Sequence, residues 1–315
     1  MVTHMMQAML LQRYGSSELL QLEETARPVP EAGEALVRVY AAGVNPIDWQ
    51  IPQGMFKESQ PIAFPFIPGI EVAGVVEAVG AGVTAELLGQ PVLGQVTHGG
   101  YAEYVSLPVH ALARKPQALS FIEAAAFPVS ATIAWHALFD NGEVTAGQRV
   151  LIQGAFIGMG VFAVQLAKWK GARVIGIAST TYRDFVHSLG AETVLEASEP
   201  PAEPVDLVLH GGGLTVSNAL AALRDGGTLI SNAKLSPDEQ IQVQMRQIRV
   251  LASRGKGTVP LETLTRLAEE GFLAVPVGQT FALREAAQAH AYARSGQGFG
   301  RFVLRVVETN RVFNS

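Results

Sequence analysis

Residues 148–178, "QRVLIQGAFIGMGVFAVQLAKWKGARVIGIA", run an apolar β-branched stretch into a glycine-bearing turn, a helical stretch and a second β-branched stretch. The rhythm then repeats: "TYRDFVHSLG" reads as a helix, "VDLVLHGG" as a strand, "TVSNALAALRDGG" as a helix and "TLISNA" as a strand. Apolar strands alternating with helices require a parallel sheet covered on both faces. This lobe is placed at residues 122–253.

The flanking sequence has another character. In the first third, short runs such as "ALVRVYAAGV", "EVAGVVEAVG" and "GYAEYVSLP" alternate with Gly, Pro and Asn, as in the strands and tight turns of a small β-barrel. "LSFIEAAAFPVSATIAWHALFD" is helical in composition, with Ser120 as N-cap and Glu123 three residues on, the spacing of a capping box. The last segment, from "PLETLTRLAEEG" to "GRFVLRVV", predicts helix, strand, helix and strand. It does not easily extend the parallel sheet and is expected to rejoin the first lobe. The expected fold class is α/β, with a discontinuous domain of residues 1–121 and 254–315 around a doubly wound domain of residues 122–253.

Composition narrows the function. A net charge of −5 lacks the clustered Lys and Arg that nucleic acid or an anionic membrane would require. The chain contains no cysteine, so disulfides, thiol nucleophiles and cysteine-ligated zinc are excluded. The histidines show no ligand spacing. The N-terminal stretch has no basic region leading into a long apolar run, and the longest apolar windows are broken by Glu123 and Pro128. A soluble, cytoplasmic protein is expected.

The turn in "VLIQGAFIGMG" is compared with the dinucleotide fingerprint G-x-G-x-x-G, whose glycines make the turn, admit the pyrophosphate and let helix pack on strand. With Gly160 as the third glycine, Ala155 stands first and Ile157 second. The following helix still offers N–H groups and a positive dipole end, with Gly158 and Met159 beside it. The other reading is a turn that packs and binds nothing. About twenty residues on, where NAD-selective folds place a carboxylate against the ribose, the chain reads "IASTTYRD". Ser179, Thr180 and Arg183 suit a 2′-phosphate, which favours NADPH over NADH. Alternatively the two hydroxyls only cap the next helix.

Taken together, "AAGVNPIDWQIPQG", "FPFIPGIEVAGVVEAVGAGV", "GGYAEYVSLP", "AAAFPVSATIAWHALF", "GMGVFAVQLAKWKGARVIG", "ALRDGGTLIS" and "GRFVLRV" resemble the medium-chain dehydrogenase/reductase superfamily, on its zinc-free quinone oxidoreductase and enoyl reductase side. The resemblance implies a GroES-like catalytic β-domain, a Rossmann domain and an active site in the cleft between them. Zinc-dependent relatives carry a cysteine in the segment here reading "GVNPID" and a histidine just before the glutamate of "GIE". This chain has Asn45 and Ile70 there, so no catalytic zinc is expected.

Without that Lewis acid, the implied chemistry is hydride transfer from NADPH to an electron-poor acceptor, a quinone or an α,β-unsaturated carbonyl. Asn45 is the candidate donor to an enolate oxygen and Trp49 a pocket wall, while Asp48 reads as a turn or hydrogen-bonding residue. Arg301 matches a basic position of relatives and is a candidate for the cofactor phosphates or a solvated strand residue. Two positions depart from the family: Ile133 replaces a threonine, with Thr132 one place off, and His210, followed by three glycines, replaces an acid at a strand end. His210 is either near the cofactor or bonded to local backbone. These changes keep open a non-catalytic binding protein as the alternative. Relatives often dimerise through an edge of the Rossmann sheet, and "TLISNA" is the candidate edge for a homodimer.

Overall fold

A computed structural model describes residues 4–211, 215–253 and 261–307. Two compact units divide the chain, Met1–Val129 with Val275–Ser315, and Ser130–Ala274.

The first unit opens with an antiparallel ribbon, β1 (Met5–Leu10) and β2 (Gln21–Ala26). The strands β3 (Glu34–Gly43), β4 (Glu71–Val79), β5 (Pro91–Gln95), β6 (Tyr104–Pro108) and β7 (Leu112–Arg114) build an antiparallel sheet in which β4 and β6 both pair with β3. Glycine permits one close crossing here, because a Cβ on Gly74 would lie 2.0 Å from the carbonyl oxygen of Arg38 on the neighbouring strand. A single turn, α1 (Ile47–Gln50), follows β3, and α2 (Phe121–Ala125) packs on the sheet behind the expected capping box of Ser120 and Glu123. The helical stretch is broken at Phe127, and α3 (Pro128–Trp135) starts at the proline, which suits a first helical position because its missing N–H has no partner there to lose. A π-helical turn, His136–Asn141, continues it.

The second unit is a six-stranded parallel sheet. Its strands are β8 (Arg149–Gln153), β9 (Arg173–Ile177), β10 (Thr193–Leu195), β11 (Val205–Leu209), β12 (Leu223–Ile230) and β13 (Arg249–Leu251), in the order β10-β9-β8-β11-β12-β13. This is the doubly wound order, with the direction of winding reversing between β8 and β11. The helices are α4 (Gly160–Trp169), α5 (Arg183–Ser188), α6 (Val216–Ala222), α7 (Pro237–Met245) and α8 (Leu261–Glu269). In α4 the residues Val161, Phe162, Val164 and Leu166 are wholly buried, each worth about 2 kcal/mol of apolar burial. The chain then returns to the first unit with β14 (Val277–Ala282), α9 (Ala286–Arg294) and β15 (Arg301–Arg305), completing its sheet through the pairing of β15 with β3.

Three sequence expectations change. The domain boundaries were expected at 121/122 and 253/254, whereas the units divide at 129/130 and 274/275; residue 254 itself lies outside the described residues. The reasons are local. Val129 N–H donates to Glu71 of β4, and Gln165 of α4 holds Ala274 by two hydrogen bonds, one to its carbonyl and one from its N–H. The segment "LRDGG" was expected to be helical but is the start of β12, because α6 stops at Ala222. Finally, "TLISNA" is no edge, since β12 is paired on both sides, to β11 and β13.

Candidate functional site

In the second unit the turn after β8 is made one residue earlier than the fingerprint alignment placed it. Gly154, not Ala155, carries the left-handed conformation (φ +64°), and Gly158 carries a second (φ +59°). Ala155 is buried, with its N–H donating to Ile177 of β9. Ile157 is half-buried and accepts from Gly160 N–H. A Cβ at Gly158 would meet nothing within 4 Å, whereas one at Gly160 would sit 2.1 Å from the oxygen of Gly154. Gly160 is therefore the residue that lets α4 approach its strand. Met159 precedes it as N-cap of α4 without a side-chain capping bond, and the start of this ten-residue helix is closed by backbone bonds to the turn, Gly160 N–H to Ile157 and Phe162 N–H to Met159.

Phe156 stacks on Tyr182 with ring centroids 4.7 Å apart and planes 7° from parallel. This pair, absent from the sequence reading, ties the turn to the segment carrying Ser179, Thr180 and Arg183. Those three residues are exposed, and Ser179 makes no side-chain capping bond to the helical turn it precedes. His210 is a strand-end residue engaged locally: its N–H donates to Ile230, and its Nδ1 lies 2.9 Å from Ser231 Oγ. Gly212 and Gly213 beyond it lie outside the described residues. Ile133 and Thr132 are both half-buried in α3.

In the first unit, two buried polar clusters occupy the end of β3 and the turn after it. Arg301 was a candidate for cofactor phosphates or a solvated strand position. The structure corrects both readings: the side chain is 4% exposed and donates to Glu71 Oε1 (2.5 Å), Asn45 Oδ1 (2.9 Å) and the carbonyl of Ala126 (3.0 Å). Asn45 is 3% exposed, with its Nδ2 donating to Glu71 Oε1 at 2.7 Å. The amide expected to serve an enolate is thus bonded within this cluster, because Glu71 is wholly buried and needs its donors.

The second cluster is a chain of hydrogen bonds. Tyr101 O–H donates to Asp48 Oδ2 at 3.0 Å, and the same hydroxyl lies 3.1 Å from His290 Nε2. His290 Nδ1 lies 2.8 Å from Ser17 Oγ. Asp48 Oδ2 also accepts from Asn45 N–H (2.8 Å). Burial pushes the Asp48 carboxyl up to about 7, against the lowering effect of its two donors. Burial, with Arg294 nearby, pulls the His290 imidazole down to about 4, and burial raises the Tyr101 phenol. Trp49 is half-buried, its ring tilted against His290 with centroids 5.4 Å apart. Sequence reading assigned Asp48 a hydrogen-bonding role but missed Tyr101, His290 and Glu71. The only sequence signal for them is a polar residue inside an otherwise apolar strand or helix face. Among the described residues no group of three or more His, Asp or Glu is arranged to hold a metal, and no helix is long and apolar enough to cross a membrane.

Residues 31–117 match the family described as alcohol dehydrogenase GroES-like domain, and residues 184–304 that described as zinc-binding dehydrogenase. A quinone oxidoreductase of Sus scrofa is 32% identical over 91% of this chain and 93% of its own length. The chain belongs to the medium-chain dehydrogenase/reductase superfamily. Within it the likeness is to the quinone oxidoreductase branch, and it includes a chloroplastic quinone-oxidoreductase homologue of Spinacia oleracea, 30% identical over 96% of this chain and 99% of its own. Among solved structures, an NAD-dependent alcohol dehydrogenase superposes with a TM-score of 0.89 at 30% identity, covering 96% of this chain and all of the other. A quinone oxidoreductase from Coxiella burnetii does so at 0.85 and 28% over the same shares. The family therefore accounts for the two halves of the fold, a GroES-like β-domain and a Rossmann domain.

Proposed function

We propose that this chain is a zinc-independent, NADPH-dependent oxidoreductase that transfers hydride to a quinone or an α,β-unsaturated carbonyl compound. The observation that carries the reading is the turn after β8. Gly154 and Gly158 supply two left-handed residues, the space beside Gly158 is open, and Gly160 seats a helix N-terminus against the strand. These features fit a dinucleotide pyrophosphate, with Gly158 and Met159 at its edge and Ile157 half-buried beside it.

The exposed Ser179, Thr180 and Arg183 would hold the 2′-phosphate. When bound, the reduced nicotinamide supplies the hydride. The protein's own part is to bind and orient the cofactor and to present the acceptor against an apolar wall, for which Trp49 is the candidate. Asn45, Glu71 and Arg301 set the local backbone rather than touch the acceptor, and the proton that completes reduction of an enolate or quinone comes from water or a hydroxyl. Quinone oxidoreductases among the relatives support the acceptor class. The positions held by Asn45 and Ile70, with no cysteine in the chain, support the absence of catalytic zinc. In this reading the protein works in the cytoplasm, as a homodimer.

The engagement of the Asn45 amide by Glu71 and Arg301 favours one alternative, a non-catalytic member of the same fold acting as a binding or regulatory protein. Titration with NADPH and NADH, followed by melting temperature and nicotinamide fluorescence, separates the readings when combined with NADPH oxidation by 1,4-naphthoquinone and a medium-chain enal. Binding with turnover supports the oxidoreductase. Binding without turnover of either acceptor supports the alternative, and no binding at millimolar ligand removes the oxidoreductase and leaves the alternative.

A further inference from the structure

The hydrogen-bonded chain from Ser17 through His290 and Tyr101 to Asp48 lies wholly within the first unit, and no step of the proposed reaction uses it. Four separate parts of the fold meet in it: the 3-10 turn Ser17–Leu19, α9, the loop before β6, and α1. Tyr101 and His290 are 0% exposed, Asp48 2% and Ser17 7%, so Ser17 is the least enclosed end.

Hydroxyl groups and a neutral imidazole donate on one side and accept on the other, and a carboxyl does so once it is protonated. The state of Asp48 therefore fixes the direction of every other link. An ionised carboxylate only accepts, so Tyr101 O–H donates to Asp48 Oδ2. The phenol oxygen then takes the hydrogen of His290 Nε2, 3.1 Å away. An imidazole with its hydrogen on Nε2 accepts at Nδ1, from Ser17 O–H at 2.8 Å.

Protonation reverses each link. Asp48 Oδ1 is buried without a hydrogen-bond partner among the described residues. A proton there would be a buried donor pointing at nothing, which is costly, so it belongs on Oδ2, donating to the Tyr101 oxygen. The phenol hydrogen then serves His290 Nε2, and the imidazole hydrogen stands on Nδ1, facing Ser17 Oγ. The two states differ by one proton, and no heavy atom has to move between them. A proton arriving at Ser17 Oγ releases the serine hydrogen to Nδ1, the Nε2 hydrogen passes to the phenol oxygen, and the phenol hydrogen passes to Oδ2.

We propose that Ser17, His290 and Tyr101 form a proton wire ending at Asp48, and that gain or loss of the Asp48 proton switches the neutral imidazole of His290 between its two tautomers. The proposal does not depend on the dinucleotide reading. Burial carries the Asp48 carboxyl up to about 7 and pulls His290 down to about 4, so the switch falls near neutral pH with the imidazole uncharged on both sides of it. The charges that act on the wire are Glu71 and Arg301 at Asp48 and Tyr101, and Arg294 at His290. On the elements packed against α9, Glu18, Arg284 and Arg305 are exposed, Glu285 is bound to Ala282 N–H, and β14 carries no charged residue. Trp49, whose ring lies against His290, is the neighbour that meets the change.

The test is long-range proton–nitrogen NMR correlation of the full chain carrying 15N-labelled histidine, from about pH 5.5 to 8.5, with the His290 signals assigned by their loss in His290→Gln. The hydrogen should stand on Nδ1 at the acid end and on Nε2 at the alkaline end, with a midpoint about 7. In Asp48→Asn, which cannot titrate, and in Tyr101→Phe, which interrupts the wire, one tautomer should persist over the whole range. The wild-type profile decides by itself should a variant fail to fold. A single His290 tautomer throughout in the wild type would overturn the proposal. A tautomer change that survives in Asp48→Asn or Tyr101→Phe would do the same. So would protonation of both ring nitrogens within the range, since His290 would then itself be titrating.

Discussion

Arg301 Nη2 lies 2.5 Å from Glu71 Oε1, with the two side chains 4% and 0% exposed. The pair joins β15, at the end of the described chain, to the start of β4, and Asn45 bridges both partners. Two charges so far from water are stable only because every neighbour serves them: Glu71 Oε2 takes Val129 N–H, and Arg301 Nε reaches the carbonyl of Ala126. Function follows from this at one remove. The cluster fixes the turn that carries Asp48 and Trp49, so it positions the candidate acceptor wall without touching an acceptor.

Removing one partner leaves the other buried and uncompensated. Arg301→Met should therefore destabilise the protein by about 3–5 kcal/mol in urea unfolding. The double variant Arg301→Met with Glu71→Gln should recover a large part of that loss. If the single and double variants are equally unstable, the charge pairing is not what the cluster contributes.

The glycines of the turn separate packing from binding. At Gly160 a Cβ would lie 2.1 Å from a backbone oxygen, so Gly160→Ala should cost about 1–3 kcal/mol through displacement of α4. At Gly158 the space is open and only the left-handed backbone opposes a side chain. Gly158→Ala should cost about 1 kcal/mol and yet weaken NADPH, since the new methyl enters the turn. Melting curves with and without NADPH read both numbers. A Gly158→Ala protein with unchanged NADPH affinity would take the pyrophosphate away from this turn.

Among the described residues no ion pair or hydrogen bond engages the Arg183 side chain, which is exposed next to Ser179 and Thr180. If it reads the 2′-phosphate, Arg183→Ala should weaken NADPH about tenfold to hundredfold and leave NADH nearly unchanged. Equal weakening of both cofactors would assign it to another part of the site.

What sequence reading recovers and what it misses divide along contact range. Four of the six parallel strands, β8, β9, β11 and β12, the capping box at Ser120 and the packing role of Gly160 follow from neighbours a few residues apart, where periodicity and turn chemistry act, whereas the three-residue strands β10 and β13 are too short to carry a pattern. The failures come from partners that no local pattern joins. Tyr101 meets Asp48 across 53 residues and His290 across 189, and Arg301 meets Glu71 across 230. A solitary arginine at the start of an apolar strand carries no mark of its partner, so it was assigned to phosphates or to solvent. The left-handed residue at Gly154 shows a subtler limit, because aligning glycines to a fingerprint fixes their spacing but not which residue turns the chain.

Asp48 and His290, linked through the hydroxyl of Tyr101, make opposite and nearly cancelling contributions to the pH dependence of stability. The native Asp48 carboxyl, raised to about 7, keeps a proton that the unfolded carboxyl loses near 3.8. Its contribution is complete below about pH 3.8 and is lost as pH rises through about 7. The native imidazole of His290, lowered to about 4, lacks a proton that the unfolded one takes up below 6.5. Its contribution is complete above about pH 6.5 and is lost as pH falls through about 4. Stability rises with pH wherever the unfolded state binds more protons, so between about pH 4 and 6.5 the two slopes oppose, each at most about 1.4 kcal/mol per pH unit. Glu71 and Arg301 act on Asp48, and Arg294 on His290, but none changes these directions. The wild type should show little net slope from this pair across that window. Asp48→Asn should leave the His290 slope alone, giving stability that climbs from pH 4 to 6.5, and His290→Gln should leave that of Asp48, giving stability that falls from pH 4 to 7. Urea unfolding of the three proteins from pH 4 to 8 reads the slopes directly. Three parallel profiles would show that neither group changes its proton affinity on folding.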